Sequence, residues 1–303
     1  MSVMRLLPLV EAVAGQLRAA GIDAERGLGQ GTLDPFDEAA WLVLWSLDLP
    51  LDSDLQALGG RSVSEPEIAR VRNLVRRRID ERHPTAYLTQ QAWLVGFPFY
   101  VDERAIIPRS FIAELMTDAT LDLWLGEHTR RVLDLCTGNG SLAVIAALTY
   151  PEVQVEGADL CADALEVARI NVDQHGLADR ITLIQSNGMD RCHGPYDLIV
   201  CNPPYVNAAS MARLPPEFRA EPALALAGGE DGMDFIRILL RQASSRMCEK
   251  AVLVLEVGHE RNHFERAFPD LAPVWLETSA GSDQVLLLER EQLLAAFEPP
   301  SAR

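Results

Sequence analysis

No two of the five cysteines form a C-x-x-C pair, and their number is odd: Cys136, Cys161, Cys192, Cys201 and Cys248 are scattered through 303 residues. That spacing argues against zinc ribbons and disulfide frameworks, which depend on paired thiols, and leaves free thiols as the expectation. Positive charge is also scarce. Lys and Arg total 27 against 44 Asp and Glu, a formal net charge of −17, which argues against a large phosphate-binding surface but not against a local one. No apolar run reaches the ~20 residues that a membrane-spanning helix needs. Near the start, Arg5, Pro8 and Glu11 stand where a secretory signal needs an unbroken apolar core. A cytoplasmic chain with no membrane partner is expected. Internal repeats and low-complexity tracts are missing too. What is present, 48% hydrophobic and 23% charged residues, suits a globular protein with one large domain and a smaller one.

Apolar positions recur at helical spacing over 5–20 and 35–47, and again over 65–82 after Ser64-Glu65-Pro66, a helix start with Pro in the first turn. Trp41 and Trp45 lie one helical turn apart and read as core. In this region the acidic excess reverses. Arg70, Arg72, Arg76, Arg77, Arg78 and Arg82 crowd into one predicted helix, which is either a solvated face or a local contact with RNA or an acidic surface. From 85 to 109 aromatic and β-branched residues, broken by Gly96-Phe97-Pro98, read as a hairpin or an irregular strand pair. Residues 111–125 read as an amphipathic helix ending at Gly126. Beyond it, strands are predicted at 131–136, 153–160, 181–185, 196–201 and 251–257, with helices over 141–149, 162–175 and 230–247. Near-continuous apolar strands alternating with helices indicate a parallel sheet covered on both faces. A last pair, 273–278 and 284–290, is spaced as a hairpin and should place an antiparallel strand at one edge.

Two stretches carry chemistry. Asp134-Leu135-Cys136-Thr137-Gly138-Asn139-Gly140 joins a strand to a helix through a glycine turn, at the strand ends where open α/β sheets bind ligands. It lacks the third glycine of a dinucleotide fingerprint, and the carboxylate of Asp134 suits an ammonium group better than a pyrophosphate. Asp159 ends the second strand, where a carboxylate can accept from both hydroxyls of a ribose, and Asn187 follows the third, where it can address an adenine edge. Ammonium, ribose and adenine together describe S-adenosylmethionine. The alternatives are that Asp134 supports a helix and Asp159 caps one.

The second stretch is Cys201-Asn202-Pro203-Pro204-Tyr205-Val206. Two prolines remove two N–H donors and fix two φ angles, so the strand must end and the loop is stiff. The residues before each proline are pushed to extended conformations that leave their carbonyls free. Asn202 adds an amide acceptor. Asn202 and the Pro203 carbonyl can grip a planar –NH2 group between two acceptors, with Pro204 and Tyr205 bounding the slot; a plain strand-ending turn is the alternative. His259-Glu260-Arg261-Asn262-His263 matches the H-E-x-x-H zinc pattern, but the sequence suggests no third ligand, so no metal is expected.

Taken in order, the glycine turn, Asp159 and Asn202-Pro203-Pro204-Tyr205 resemble class I methyltransferases acting on planar amide or amine nitrogen. With the helical front and Ile107-Pro108-Arg109, nearly the whole chain resembles the protein glutamine-N(5) methyltransferases. The resemblance implies a Rossmann-like seven-stranded sheet with its last strand antiparallel, a small N-terminal helical domain for substrate recognition over 1–90, a β-hairpin linker over 91–110 and a methyltransferase domain over 111–303. It implies S-adenosylmethionine held by Asp134, Cys136, Thr137, Gly138, Asn139, Gly140, Asp159, Asn187 and Asn202, with Asn202, Pro203 and Tyr205 as catalytic residues. Where the family usually has Asp and a bulky residue after the third strand, this chain has Asn187-Gly188, which leaves Asn187 or Asp190 to face adenine. Thr85-Ala86-Tyr87-Leu88-Thr89 with Ala92-Trp93, the run 97–104, and Ser110 after Arg109 resemble the branch acting on the third ribosomal large-subunit protein. Release factors, or an exocyclic amine of a nucleic acid, are the alternative substrates. That branch implies the ribosomal protein or its assembly particle as partner, with local ribosomal RNA contact through the arginine cluster.

Overall fold

The computed structural model describes residues 4–23 and 27–297; the ends of the expected domains at 1–3 and 298–303, and residues 24–26, lie outside the described residues. The chain divides into two compact units.

The first unit comprises Met1–Ala92, Val101–Glu103 and Leu214–Glu221. Its main helices are Leu6–Ala19, Pro35–Ser46 and Glu65–Asp80. Asp34 accepts from Phe36 N at 2.6 Å and Pro35 fills the first turn, so the second helix starts where its orphan N–H groups have a partner. At the third, Glu67 accepts from Ser64 N at 2.7 Å. Leu6, Val10, Leu17, Leu42, Val43 and Val71 are buried in one core, each contributing roughly 1.5–3 kcal/mol by leaving water. Trp41 is buried, but Trp45, expected as core, is 39% exposed.

The arginine cluster is divided. Arg78 is buried between Glu38 and Glu217, donating to Glu217 at 2.8 Å and to Gly27 O at 2.8 Å. Arg82 pairs with Glu217 at 2.6 Å. Arg72, Arg76 and Arg77 stay exposed. Glu217 thus explains why residues 214–221, expected in the methyltransferase domain, belong to the helical unit: its buried carboxylate meets two guanidinium groups there, and unpaired burial of Glu217 or Arg78 would be costly.

The second unit holds residues 93–100, 104–213 and 222–303. The expected hairpin is β1 (Ala92–Leu94) and β2 (Phe97–Phe99). Its turn is Val95-Gly96, both at positive φ, so Phe97 and Pro98, expected to break the structure, lie within β2. Residues 85–89, expected as extended, form a short helix. The helix expected over 111–125 is Ile112–Thr117, because Ala119 turns left-handed at φ 65°.

β3 (Arg131–Leu135), β4 (Gln154–Asp159), β5 (Ile181–Gln185), β6 (Tyr196–Cys201), β7 (Met247–Glu256), β8 (Val274–Thr278) and β9 (Gly281–Glu289) make one seven-stranded sheet in the order β5-β4-β3-β6-β7-β9-β8. β9 alone runs opposite to the other six strands, antiparallel to both β7 and β8. It lies one place in from the edge, not at it, since Val285, Leu286, Leu287 and Leu288 are all buried and need cover on both faces. One face packs on Ile112, Leu115 and helix Ser141–Thr149, the other on Ile236, Leu239, Leu240 and Phe264. No helix among the described residues is long and apolar enough to cross a membrane.

Candidate active site

The order of β4-β3-β6 reverses at β3, and ligands bind open sheets of this kind beyond the carboxyl ends of the strands at such a switch point. A cleft of about 860 Å³, counting its open mouth, lies there. Gly138, Asp159, Asn187, Asn202 and Pro204 line it, and Ile106, Leu160, Leu224 and Phe235 provide apolar walls.

The turn after β3 is tight. Cys136 adopts φ 61° without being glycine, a strain of order 1 kcal/mol. Gly140 stands at φ 80°, and a Cβ on it would meet the Ala168 Cβ at 3.0 Å, so glycine lets the helix Ala162–Gln174 approach. Asp134 is fully buried beneath the turn. Its Oδ2 accepts from Thr137 Oγ1 at 2.5 Å and from Ala143 N at 2.9 Å, while Oδ1 has no hydrogen-bond partner among the described residues. Burial pushes its carboxyl up to about 7, against the pull of those two donors. Asp159 accepts from Gly138 N at 2.9 Å and Cys161 N at 2.8 Å, so it holds both the glycine turn and the turn that leads into the following helix; burial raises its pKa.

Of the expected site residues, Cys136, Gly138, Asp159, Asn187, Asn202 and Pro204 line the cleft together. Asp134, Thr137, Asn139 and Gly140 shape the turn behind it, Asn139 by accepting from Ser141 N at 3.2 Å. Pro203 is buried, and Tyr205 points its hydroxyl at Glu256, 3.2 Å away. Asp190 is exposed and outside the cleft lining, whereas Asn187 is part of it.

The H-E-x-x-H stretch is used otherwise. Glu260 is buried, accepts from Asn207 Nδ2 at 2.6 Å and contacts His263, while His259 is exposed. The loop after β6 is further fixed by Val206 N donating to Leu226 O at 2.8 Å and Gly228 N donating to Val206 O at 2.9 Å.

Several participants escaped the sequence reading. Ile106, Leu224 and Phe235 become walls only once distant segments meet. Glu256 and Gly258 cradle Tyr205. The clearest available signal was a carboxylate at the end of a strand as apolar as 251–255.

A parallel sheet closed by one antiparallel strand, with a glycine turn after its first strand and Asn-Pro-Pro-Tyr after its fourth, defines a class I methyltransferase. The family model described as methyltransferase small domain matches residues 114–227. A Bordetella pertussis protein named ribosomal protein uL3 glutamine methyltransferase is 52% identical over 291 residues, 95% of this chain and 96% of its own. A protein of the same name from Neisseria meningitidis serogroup A is 49% identical over 274 residues, 89% of this chain and 90% of its own. Among solved structures, the catalytic domain of hMettl16 in complex with the MAT2A 3'UTR hairpin 6 aligns with a TM-score of 0.51 at 16% identity, covering 81% of this chain and 87% of that one, a likeness of fold. The chain belongs to the ribosomal protein uL3 glutamine methyltransferase family.

Proposed function

We infer that this protein transfers a methyl group from S-adenosylmethionine to the side-chain amide nitrogen, N(5), of a glutamine in ribosomal protein uL3. The observation that carries the reading is the juxtaposition, on one cleft, of Asn202 and Pro204 with Gly138, Asp159 and Asn187. The residues fit the cofactor. Asp159 offers carboxylate oxygens for the ribose, Asn187 a polar edge for adenine, Leu160 and Phe235 apolar surface, and the buried, unpartnered Oδ1 of Asp134 a negative counterpart for an ammonium group. When bound, the cofactor supplies an electrophilic methyl on a sulfonium.

An amide nitrogen is a weak nucleophile because its lone pair is delocalised into the carbonyl. Asn202 Oδ1 and the Pro203 carbonyl accept its two hydrogens and orient it. Holding reacting atoms about 3–3.5 Å apart is worth roughly 7–11 kcal/mol. The same two acceptors stabilise the positive charge that grows on nitrogen only in the transition state. Tyr205 closes the slot.

A substrate in the ribosome sets the reaction in the cytoplasm. The four residues of the loop recognise an amide and little else, so selection of one glutamine falls to the helical domain over 1–90. Any contact with ribosomal RNA there uses the exposed Arg70, Arg72, Arg76 and Arg77, since Arg78 and Arg82 are committed to Glu217.

The test is Asn202→Ala. Cofactor affinity by calorimetry should stay within a few-fold of wild type, while turnover of uL3, followed by peptide mass mapping, falls about 10²–10³-fold. Full turnover would remove Asn202 from the mechanism.

A further inference from the structure

Glu256 ends β7, on the same side of the sheet as the cleft, and its side chain is buried. Buried carboxylates are costly unless they are satisfied, and this one gathers three donors from two other parts of the chain. Ser110 Oγ donates to Oε2 at 2.6 Å and Phe111 N to the same oxygen at 3.0 Å. Tyr205 Oη donates to Oε1 at 3.2 Å. One side chain therefore ties the start of the segment after Pro108-Arg109 to the aromatic residue that ends Asn-Pro-Pro-Tyr.

The backbone beyond Glu256 is shaped to the same ring. Gly258 adopts φ 52°, and a Cβ there would stand 2.5 Å from Tyr205 Cε2 and 2.8 Å from Cζ. A Cβ on Gly232 would strike the Tyr205 carbonyl oxygen. The ring thus has a glycine against its edge, a glycine beneath its backbone and a carboxylate at its hydroxyl. Such a fit is more than strand packing requires, since β7 already buries Val252, Leu253, Val254 and Leu255.

We propose that Glu256 is a positioning residue for methyl transfer: by accepting from Tyr205, Ser110 and Phe111 it sets the orientation of the Tyr205 ring, and so the width of the amide slot, before the acceptor arrives. The proposal rests on the reading that residues 202–205 receive the amide. Glu256 does not touch the reacting atoms. It acts through Tyr205, whose hydroxyl it anchors, and through the 110–111 backbone, which it keeps from drifting away from that loop. Preorganisation of this kind lowers the reorganisation needed in the transition state and shows in kcat more than in cofactor binding.

The test compares Tyr205→Phe, Glu256→Ala, Glu256→Gln and the Tyr205→Phe/Glu256→Ala double variant with wild type and Asn202→Ala, measuring kcat, KM for uL3, cofactor Kd and Tm. Tyr205→Phe keeps the ring and removes only the anchored hydroxyl, so it tests the contact even where Glu256→Ala folds poorly. Expected are a fall in kcat of about tenfold for Tyr205→Phe and more for Glu256→Ala, with cofactor Kd within twofold. The double variant should be no slower than Glu256→Ala by more than about twofold, because residues acting through one contact are not additive. Glu256→Gln, which can still accept from Ser110 and Phe111 and exchange a hydrogen bond with Tyr205, should recover most of the loss. Wild-type kcat in Tyr205→Phe, or strictly multiplicative losses in the double variant, would overturn the proposal while leaving Asn202 in place. Wild-type turnover by Asn202→Ala would instead overturn the acceptor site itself, and the proposal with it.

Discussion

Asp134 sits where burial and charge oppose each other. Its folded pKa of about 7 lies above the ordinary carboxylate value, as does that of Glu256, also about 7 and likewise raised by burial. Arg109 pulls Glu256 the other way, as do its three donors. A raised carboxyl pKa means that the folded state holds protons that the unfolded state has released. The contribution is fully present below pH ~4 and is lost as pH rises through about 7. The urea midpoint of the cofactor-free protein should therefore decline between pH 5 and 8. Asp134→Asn can accept from Thr137 and Ala143 as Asp does while carrying no charge. Its midpoint should decline less and match or exceed wild type at pH 8, and calorimetry should show cofactor affinity at least tenfold weaker through loss of the ammonium counterpart. An unchanged affinity would leave Asp134 as a support of the turn alone.

At the level of elements, the arginine-bearing helix Glu65–Asp80 has two faces with different fates. Replacing Arg72, Arg76 and Arg77 with Ala should leave Tm nearly unchanged, since exposed charges contribute about 0–1 kcal/mol. If this face meets RNA or an acidic surface, the triple variant methylates intact substrate or assembly particles more slowly, with a shallower salt dependence, and treats a short glutamine peptide as wild type does. Equal rates on both substrates would make it a solvated face. Strands β5 and β6 were legible to the residue because their apolar runs are bounded by polar or proline stops. That the glycine turn and the Asn-Pro-Pro-Tyr loop lie at strand ends beside one cleft was legible for a similar reason: each turn is encoded within a few consecutive residues. The end of the helix at Thr117 was not, since nothing in the composition of 118–125 announces that Ala119 turns left-handed. Nor was the place of β9, which depends on which neighbours remain to be covered. Glu256 was hidden for the same cause, as its donors lie 51 and more residues away in the chain.

Across the whole molecule, Glu217 is the residue on which the helical unit's internal charge balance depends. Its side chain is 0% exposed beside Arg78 at 1%. Glu217→Ala leaves the buried Arg78 guanidinium with Glu38 in place of two carboxylates, and loss of one member of a buried charge network costs up to roughly 3–5 kcal/mol. Chemical denaturation should show that loss, with limited proteolysis first attacking within 4–92. A Glu217→Ala protein as stable as wild type would show that Glu38 alone suffices for Arg78. Because Glu217 reaches the helical unit from a point in sequence beyond β6, that unit cannot be completed in the order in which the chain is made. During synthesis Arg78 follows Glu38, one of its two carboxylates, whereas Arg82 precedes Glu217 by 135 residues. Four strands of the sheet are translated in that interval. A chain that stops short of residue 217 therefore lacks the carboxylate paired with Arg82 and one of the two that face Arg78.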